Sequence, residues 1–344
     1  MGSKMKIQSK ELRGKNRAKL VDVLPLEQPW TLFIDPAGLC NLKCLFCPTG
    51  IPELAKLRPG GLMTFDVFKK IVDDCKSFKQ RIRQCNIYKD GEPLLNPRFI
   101  DMIKYLKEAD ISERIWTKTN GVRLSPDYNT QLIECGLDLI GISVKQLTAD
   151  GYVKIAGTKV DCQKFMDNLK DLYNKRGNVK IFISIADTLL TPEEKEKFYA
   201  DFEPISDYVC IEGLHNWTFS SKERDFRLGT DNSLDGNPLV WKLACPLPMY
   251  TLAFNYNGTV SACNDDWGHK TVIGDVTQNT VTEIWNSTKR LEFLKMHLEG
   301  RRSENEACAN CQALETLPDN LDEDRLTVLK NITARHSQRW KQPA

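Results

Sequence analysis

The most constraining feature of this sequence is the regular alternation of short apolar runs with amphipathic segments from residue 30 to residue 211. The apolar runs predict six buried strands, at about 30–34, 85–88, 114–117, 137–144, 179–185 and 208–211. The segments between them carry apolar residues at helical spacing, as Phe65, Phe68, Ile71 and Val72 do. Alternating strands and helices form a parallel sheet with crossover helices. The pattern therefore predicts an α/β fold, and it leaves open whether the sheet is flat or curved into a partial barrel.

The pattern changes after about residue 235. Two short strand-like runs, at 251–256 and 259–263, flank Asn257-Gly258, which is a strong hairpin signal. Helical segments follow near 281–287 and 289–299. We therefore predict four parts. They are an N-terminal extension (1–29), a barrel domain (30–235), a small α+β domain (236–318) and a C-terminal tail (319–344).

The bulk composition narrows the possible functions. A net charge of +2 favours no nucleic-acid partner, and no run approaches the roughly 20 apolar residues of a membrane span. The start of the chain has no apolar core of the kind found in signal peptides, so we expect a cytoplasmic protein. Thiols stay reduced in the cytoplasm. The 12 cysteines therefore predict metal or cluster ligation rather than disulfides.

Three of these cysteines directly follow the first predicted strand. Cys40, Cys44 and Cys47 form a C-x3-C-x2-C motif. Three thiolates can hold three irons of a [4Fe-4S] cluster and leave the fourth iron open for another ligand. A zinc site is the alternative, but it would need a fourth ligand, and the nearest histidine in the sequence is His215.

A second set of four cysteines lies near the end of the chain: Cys245, Cys263, Cys308 and Cys311. Four thiolates can ligate every iron of a [4Fe-4S] cluster. They can equally form a structural zinc site, so ligand chemistry alone leaves both possibilities open.

The first motif, with Phe46 before its last cysteine, resembles the signature of the radical S-adenosylmethionine (SAM) superfamily. The resemblance implies a partial (β/α)6 TIM-like barrel in which the open iron binds SAM and the cluster cleaves it to methionine and a 5′-deoxyadenosyl radical. Asp90-Gly91-Glu92-Pro93 resembles the GGEP motif of that family, with Asp90 in place of the first glycine. The residues that the resemblance assigns to SAM binding are Phe46, Gly91, Glu92, Pro93, Thr119, Asn120 and Ser143.

The C-terminal cysteines, with Gly258 between the first two, resemble a SPASM domain. A full SPASM domain carries seven cysteines, and here none follows Cys311. The pattern is therefore similar to the shortened "twitch" version, which holds one fully ligated auxiliary cluster. Radical dehydrogenases of aminocyclitols belong to this type.

The resemblance implies two [4Fe-4S] clusters, SAM and a reductant of the flavodoxin or ferredoxin type. We expect an oxidoreductase of carbohydrate biosynthesis that oxidises a carbinol of a small sugar- or cyclitol-like substrate and passes the second electron to the auxiliary cluster. The catalytic candidates are His215, Lys145 and Tyr88. Cys85 and Cys210 lie in strands and could face the interior as hydrogen donors.

Three other functions remain open at this stage. They are carbohydrate epimerisation, peptide modification and non-enzymatic electron transfer. Peptide-modifying relatives usually carry an N-terminal winged-helix domain, and the 29 residues before Trp30 are too few for one.

Overall fold

The protein is described here from a computed structural model, which covers residues 18–187, 190–213 and 238–339. Within these ranges the chain forms nine β-strands and thirteen α-helices. The strands are β1 (Thr31–Ile34), β2 (Gln84–Asn86), β3 (Ile115–Thr119), β4 (Leu139–Val144), β5 (Lys180–Ala186), β6 (Tyr208–Glu212), β7 (Thr251–Phe254), β8 (Thr259–Ser261) and β9 (Val272–Asp275). The helices are α1 (Leu20–Val23), α2 (Pro52–Ala55), α3 (Phe65–Cys75), α4 (Phe99–Ala109), α5 (Pro126–Glu134), α6 (Ala149–Ala156), α7 (Cys162–Lys175), α8 (Pro192–Phe202), α9 (Leu247–Tyr250), α10 (Val281–Trp285), α11 (Thr288–Leu298), α12 (Glu306–Ala309) and α13 (Arg325–Arg339).

The helices begin where the sequence supplies side-chain caps. The hydroxyl oxygen of Thr64 accepts a hydrogen bond from Val67 N–H at the start of α3, and Ser125 caps α5 in the same way. A capping box of Thr191 and Glu194 opens α8. Such caps satisfy N–H groups that have no partner inside the helix. The starts of these helices were therefore predictable from the sequence.

All nine strands belong to one sheet, in the order β6-β5-β4-β3-β2-β1-β7-β8-β9. The first six strands are parallel and lie in sequential order, which confirms the predicted α/β sheet with crossover helices. β7 pairs with β1 in parallel, and β8 and β9 follow in antiparallel order. The C-terminal hairpin therefore continues the main sheet. It covers an edge of β1 whose backbone N–H and C=O groups would otherwise be unpaired.

The two faces of the sheet differ in character. Leu32, Cys85 and Ile115 are register partners on adjacent strands, and all three are buried against the helices. Successive side chains of a strand point to opposite faces. Phe33 and Trp116 therefore lie on the other face, which is lined by half-buried residues.

This second face is concave. Lys118 in β3 forms an ion pair with Glu212 in β6, with 3.0 Å between Nζ and Oε2. The two strands are three sheet positions apart, about 14 Å at the usual strand spacing. Side chains that stand off one face can meet across that distance because the sheet curves toward them. The sheet is therefore a partial barrel with β6 at one edge.

A second, smaller core supports the C-terminal part of the chain. Leu20 of α1, Met249 of α9, Leu294 of α11 and Val328 of α13 are buried together. The C-terminal segment forms α13, which closes this core.

The structure also departs from the sequence expectations in detail. Tyr88 was placed in the second strand, but β2 ends at Asn86 and Tyr88 follows it. Helix α6 and strand β9 were not predicted. In the described part of the chain, no helix is both long and apolar enough to cross a membrane.

Candidate active site

The first three cysteines lie in one loop after β1. Backbone hydrogen bonds from Lys43 and Leu45 to the last residues of α6 hold this loop in place. A side chain at Gly50 would meet the carbonyl oxygen of Cys44 at 2.3 Å, so the loop closes tightly on itself. The bend brings the three thiols close enough for their charges to interact, as a shared cluster requires.

The chemistry of these thiols fits a bound cation. Burial raises the pKa of Cys40 to about 11 and that of Cys44 to about 12. Such thiols stay protonated near neutral pH unless a metal displaces the proton. The positive charge of Lys145 lies near both sulfurs and favours their thiolate forms. Asn120 Nδ2 also points at Cys40 Sγ, at 3.8 Å.

Glu92 links two of the loops that resemble SAM-binding segments. Its carboxylate accepts hydrogen bonds from Thr119 Oγ1 at 2.5 Å, Asn120 N at 2.7 Å and Leu94 N at 3.0 Å. Gly91 lies so close to Ala37 that a side chain would meet its carbonyl oxygen at 2.0 Å. Since Asn120 also contacts the loop of Cys40, the structure brings the predicted cluster and SAM residues to one end of the sheet. We call the loops that carry Cys40, Glu92 and Asn120 the cofactor loops.

The other predicted cofactor residues lie around this group. Pro93 opens a short 3-10 helix, Pro93–Leu95, directly after Glu92. Phe46 lies in the cysteine loop and packs against the main core.

Lys145 lies between the cysteine loop and the concave face. Its Nζ donates to Ser143 Oγ at 2.6 Å, so two predicted residues at the end of β4 are in contact. Its charge also acts on the carboxylates of Glu92 and Glu212. Lys145 is therefore a positive charge that lies near both the cysteine loop and the carboxylates of Glu92 and Glu212.

Tyr88 belongs to a row of aromatic rings across the concave face. Its ring lies 5.7 Å from that of Phe33 and 5.9 Å from that of Trp116, and Trp116 lies 6.5 Å from Phe182. Their positions on β1, β3 and β5 put these rings on the inner face of the curved sheet. They form an apolar surface beside the cofactor loops.

In the Lys118–Glu212 ion pair, Lys118 was predicted from the sequence as a further inward-facing candidate, whereas Glu212 was not predicted as a site residue. The two side chains are 24% and 22% exposed, so they remain accessible from the concave side. Burial opposes the ionisation of Glu212, but the charge and hydrogen bonds of Lys118 hold the pKa of Glu212 below its ordinary value. The signal that could have identified Glu212 is its position at the C-terminal end of β6, because parallel α/β folds place their chemistry at such strand ends.

The two strand cysteines have different surroundings. Cys85 is fully buried and lies close to Cys75 of α3. It therefore faces the helices, and the prediction that it faces the barrel interior is wrong. Cys210 lies two residues before Glu212 on the same face of β6, and its thiol is near Glu212 and Lys118. Cys210 therefore faces the concave side.

The other four predicted ligands also converge. The thiol of Cys263 lies near those of Cys245, Cys308 and Cys311. Burial, reinforced by the neighbouring Cys311, raises the pKa of Cys308 to about 12. As at the first site, a bound metal is needed to keep these sulfurs as thiolates.

Among the residues that the structure describes, no three His, Cys, Asp or Glu side chains are arranged as ligands of a single metal ion. Both cysteine sets nevertheless group their thiols together.

The two cysteine sites are joined through Asp90, the residue that departs from the GGEP pattern. Asp90 Oδ2 is 2.6 Å from Lys89 Nζ and 3.2 Å from His269 Nε2. Lys89 Nζ also donates to the Asp266 carbonyl oxygen at 3.2 Å. His269 and Asp266 belong to the loop that follows Cys263, so buried polar contacts connect the cofactor loops with the second cysteine site.

The remaining catalytic candidate, His215, lies outside the described residues.

Comparison with known proteins agrees with this arrangement. Residues 34–200 match the Radical SAM superfamily, and residues 245–312 match the SPASM iron-sulfur cluster-binding domain. The cofactors are therefore SAM with a [4Fe-4S] cluster in the first domain and a further iron–sulfur cluster in the second. The predicted boundaries of the four parts, 1–29, 30–235, 236–318 and 319–344, remain predictions.

Two curated relatives differ in how much of their length matches. The tungsten-containing aldehyde ferredoxin oxidoreductase cofactor-modifying protein of Pyrococcus furiosus is 32% identical over 36% of this chain, and the match spans only 33% of that protein. The S-adenosyl-L-methionine-dependent 2-deoxy-scyllo-inosamine dehydrogenase of Niallia circulans is 24% identical over 79% of this chain and 88% of its own length.

Solved structures share the fold. BtrN in complex with AdoMet and 2-DOIA superposes with a TM-score of 0.54 at 20% identity, covering 82% of this chain and 92% of that one. The anSMEcpe structure with bound AdoMet and Cp18Cys peptide superposes with a TM-score of 0.57 at 16% identity, covering 90% of this chain and 98% of that one.

Proposed function

We propose that this radical SAM enzyme with a C-terminal SPASM domain oxidises a carbinol carbon of a sugar- or cyclitol-like substrate to a ketone. The observation that carries the proposal is the accessible Lys118–Glu212 ion pair on the concave face. Loss of hydrogen from a carbinol releases a proton as well as a hydrogen atom, and an ionised carboxylate is a suitable base for that proton. The length of the match to the 2-deoxy-scyllo-inosamine dehydrogenase supports the substrate class.

The two cysteine sets would hold different clusters. Cys40, Cys44 and Cys47 would hold the cluster that binds SAM, with the Glu92 and Ser143 segments around the SAM molecule. Cys245, Cys263, Cys308 and Cys311 would hold the auxiliary cluster. When bound, these groups supply the electron that generates the 5′-deoxyadenosyl radical and take up the electron that the oxidised substrate releases.

The concave face would bind the substrate. The aromatic rings around Trp116 supply an apolar surface for the ring carbons, and the ion pair supplies partners for hydroxyl groups. Bound SAM would supply the acceptor for the carbinol C–H hydrogen atom, the auxiliary cluster would accept the electron, and the carboxylate of Glu212 would take the hydroxyl proton. Lys118 keeps that carboxylate ionised. Lys145, Tyr88 and His215 remain candidates for further substrate contacts, and a flavodoxin- or ferredoxin-type protein is the proposed reductant.

The test uses the reconstituted enzyme with SAM, dithionite and 2-deoxy-scyllo-inosamine, D-glucosamine or UDP-N-acetylglucosamine as probes. We expect one probe to yield a product lighter by two hydrogen atoms. Glu212→Gln should lower that product about 100-fold or more while 5′-deoxyadenosine still forms, since general bases contribute about 10²–10⁴-fold. The exposed Glu196→Gln should behave as the unaltered enzyme. Full product formation by Glu212→Gln would exclude Glu212 as the base.

Epimerisation is the second candidate, because the thiol of Cys210 faces the same concave side as Glu212. An epimerase would return a product of unchanged mass with one solvent hydrogen at carbon, and Cys210→Ala would abolish that exchange. A product of reduced mass would exclude this alternative for the probe in question.

A further inference from the structure

Arg302 lies beside the second cysteine site in an unusual environment for a charged residue. It begins a 3-10 helix, Arg302–Glu304, and is only 5% exposed. Its Nη1 donates to the carbonyl oxygens of Cys308 and Cys311, the latter at 3.4 Å. Its guanidinium also lies 4.2 Å from the centre of the Trp241 ring.

No carboxylate neutralises this guanidinium in the part of the chain that the structure describes. The adjacent Arg301 provides the contrast, since it is exposed and pairs with both Glu299 and Glu304. Arg302 instead contacts carbonyl groups and an aromatic ring, and its Nη2 is buried without a hydrogen-bond partner. A buried charge of this kind is unfavourable unless a charge of opposite sign lies near it.

The cysteine site supplies that opposite charge. The positive charge of Arg302 favours the thiolate forms of Cys308 and Cys311. A cluster held by four thiolates is negatively charged, and it gains one more negative charge on reduction. A neighbouring positive charge therefore stabilises the reduced form more than the oxidised form, and net charge is one of the factors that set cluster potentials.

We propose that Arg302 is a positioning residue that raises the reduction potential of the auxiliary cluster and so makes it a better acceptor for the substrate's electron. The inference rests on the proposed role of that cluster as electron acceptor. It adds a specific residue and a measurable property to that role.

Other charged groups near the site act in both directions. Asp265 lies near three of the four thiols, and its charge opposes reduction. Asp266 acts in the same sense on Cys308. Lys242 is a second buried cation, and Cys245 of this site lies near it, as do Asp322 and Asp319. Arg302 differs from Lys242 in that its positive charge acts on two of the four thiols, those of Cys308 and Cys311.

The proposal can be tested by measuring the reduction potential of the auxiliary cluster in the absence of substrate. Full-length protein carrying Cys40→Ala, Cys44→Ala and Cys47→Ala keeps only the auxiliary cluster, whose reduction is followed by electron paramagnetic resonance in a redox titration. In this background Arg302→Gln, which keeps a donor for the carbonyl groups, should shift the midpoint to lower potential. Arg302→Lys keeps the positive charge, so its midpoint should return most of the way to that of the parent protein. The surface control Arg301→Gln should leave the midpoint unchanged.

Asp265→Asn provides an independent variant in case Arg302→Gln does not assemble a cluster. It removes a negative charge and should shift the midpoint to higher potential. An unchanged midpoint in an assembled Arg302→Gln would overturn the proposal, as would equal shifts in the Gln and Lys variants. If Arg302→Gln does not assemble, an unchanged midpoint in Asp265→Asn would overturn it.

The result also separates this inference from the proposed function. A lowered midpoint in Arg302→Gln would retain Arg302 as the tuning residue even if the Cys308→Ala, Cys311→Ala variant formed full product and so excluded the electron-acceptor role. Zinc in place of iron at this site would overturn both.

Discussion

His269 Nε2 lies 3.2 Å from Asp90 Oδ2, so a side chain from the second domain contacts the loop that resembles the GGEP motif. The backbone of His269 has φ 54°, in the left-handed region that residues other than glycine seldom adopt. Burial lowers the pKa of His269, so the ring is neutral near pH 7 and acts as a hydrogen-bonding group. Asp90 thus takes part in the contact between the loops around the first cysteine site and the auxiliary domain.

Replacing Asp90 by Gly, the residue of the family motif, should destabilise this protein. Lys89 and Arg58 have side chains that are 0% and 5% exposed, and both face Asp90. Removing one partner of a buried ion pair typically costs about 3–5 kcal/mol because the remaining charges lose their compensation. Urea denaturation of Asp90→Gly should show a loss of this order.

The surface variant Asp101→Asn, which breaks the exposed pair with Arg98, serves as control and should cost about 1 kcal/mol or less. Adding Lys89→Met to Asp90→Gly should recover part of the loss. Equal stability of Asp90→Gly and the unaltered protein would contradict the assignment.

Asp35 should make the stability of the protein depend on pH. Burial and the nearby charge of Asp90 raise the pKa of Asp35 to about 7, from an ordinary value of 3.8. The folded protein therefore binds this proton more tightly than the unfolded chain does. The contribution to stability is fully present below about pH 4 and is lost as the pH rises toward 7.

The measurement is the free energy of unfolding of the unaltered protein and of Asp35→Asn across that range. The difference between the two curves should change steadily between pH 4 and pH 7, with the unaltered protein losing stability relative to the variant. Parallel curves would show that Asp35 titrates normally in the folded state.

Iron content should separate the two cysteine sites. Anaerobically reconstituted protein should bind about eight irons, as expected for two [4Fe-4S] clusters. The variant with Cys40, Cys44 and Cys47 replaced by Ala should bind about four and form no 5′-deoxyadenosine. Undiminished SAM cleavage in this variant would mean that the first motif has been misassigned, and zinc in the remaining site would exclude the auxiliary cluster.

Loss of the auxiliary cluster should affect product formation more than SAM cleavage. The variant with Cys308→Ala and Cys311→Ala keeps the first site, and the substrate's electron then lacks its proposed acceptor. We expect 5′-deoxyadenosine to form with little or no ketone. Because cluster binding also stabilises a small domain, circular dichroism should first establish that the variant is folded. Full product yield would leave the second cluster with a structural role only.

The sequence by itself determined the fold class and the ligand sets. The periods of strands and helices, together with side-chain caps such as Thr64, depend on residues close together in the chain and can therefore be recognised in the sequence alone. The spacings of Cys40, Cys44 and Cys47 and of Cys308 and Cys311 are likewise local. The segments around Glu92 and Asn120 could be placed because each follows a predicted strand.

Only the tertiary structure decided which distant side chains meet. Lys118 and Glu212 are 94 residues apart, and curvature of the sheet brings them together. The facing of Cys85 and Cys210 depended on strand register, since a shift of one residue reverses the face. The contact of Asp90 with His269 depends on how the two domains pack. These features arise from long-range contacts and burial, for which the linear sequence carries no periodic signal.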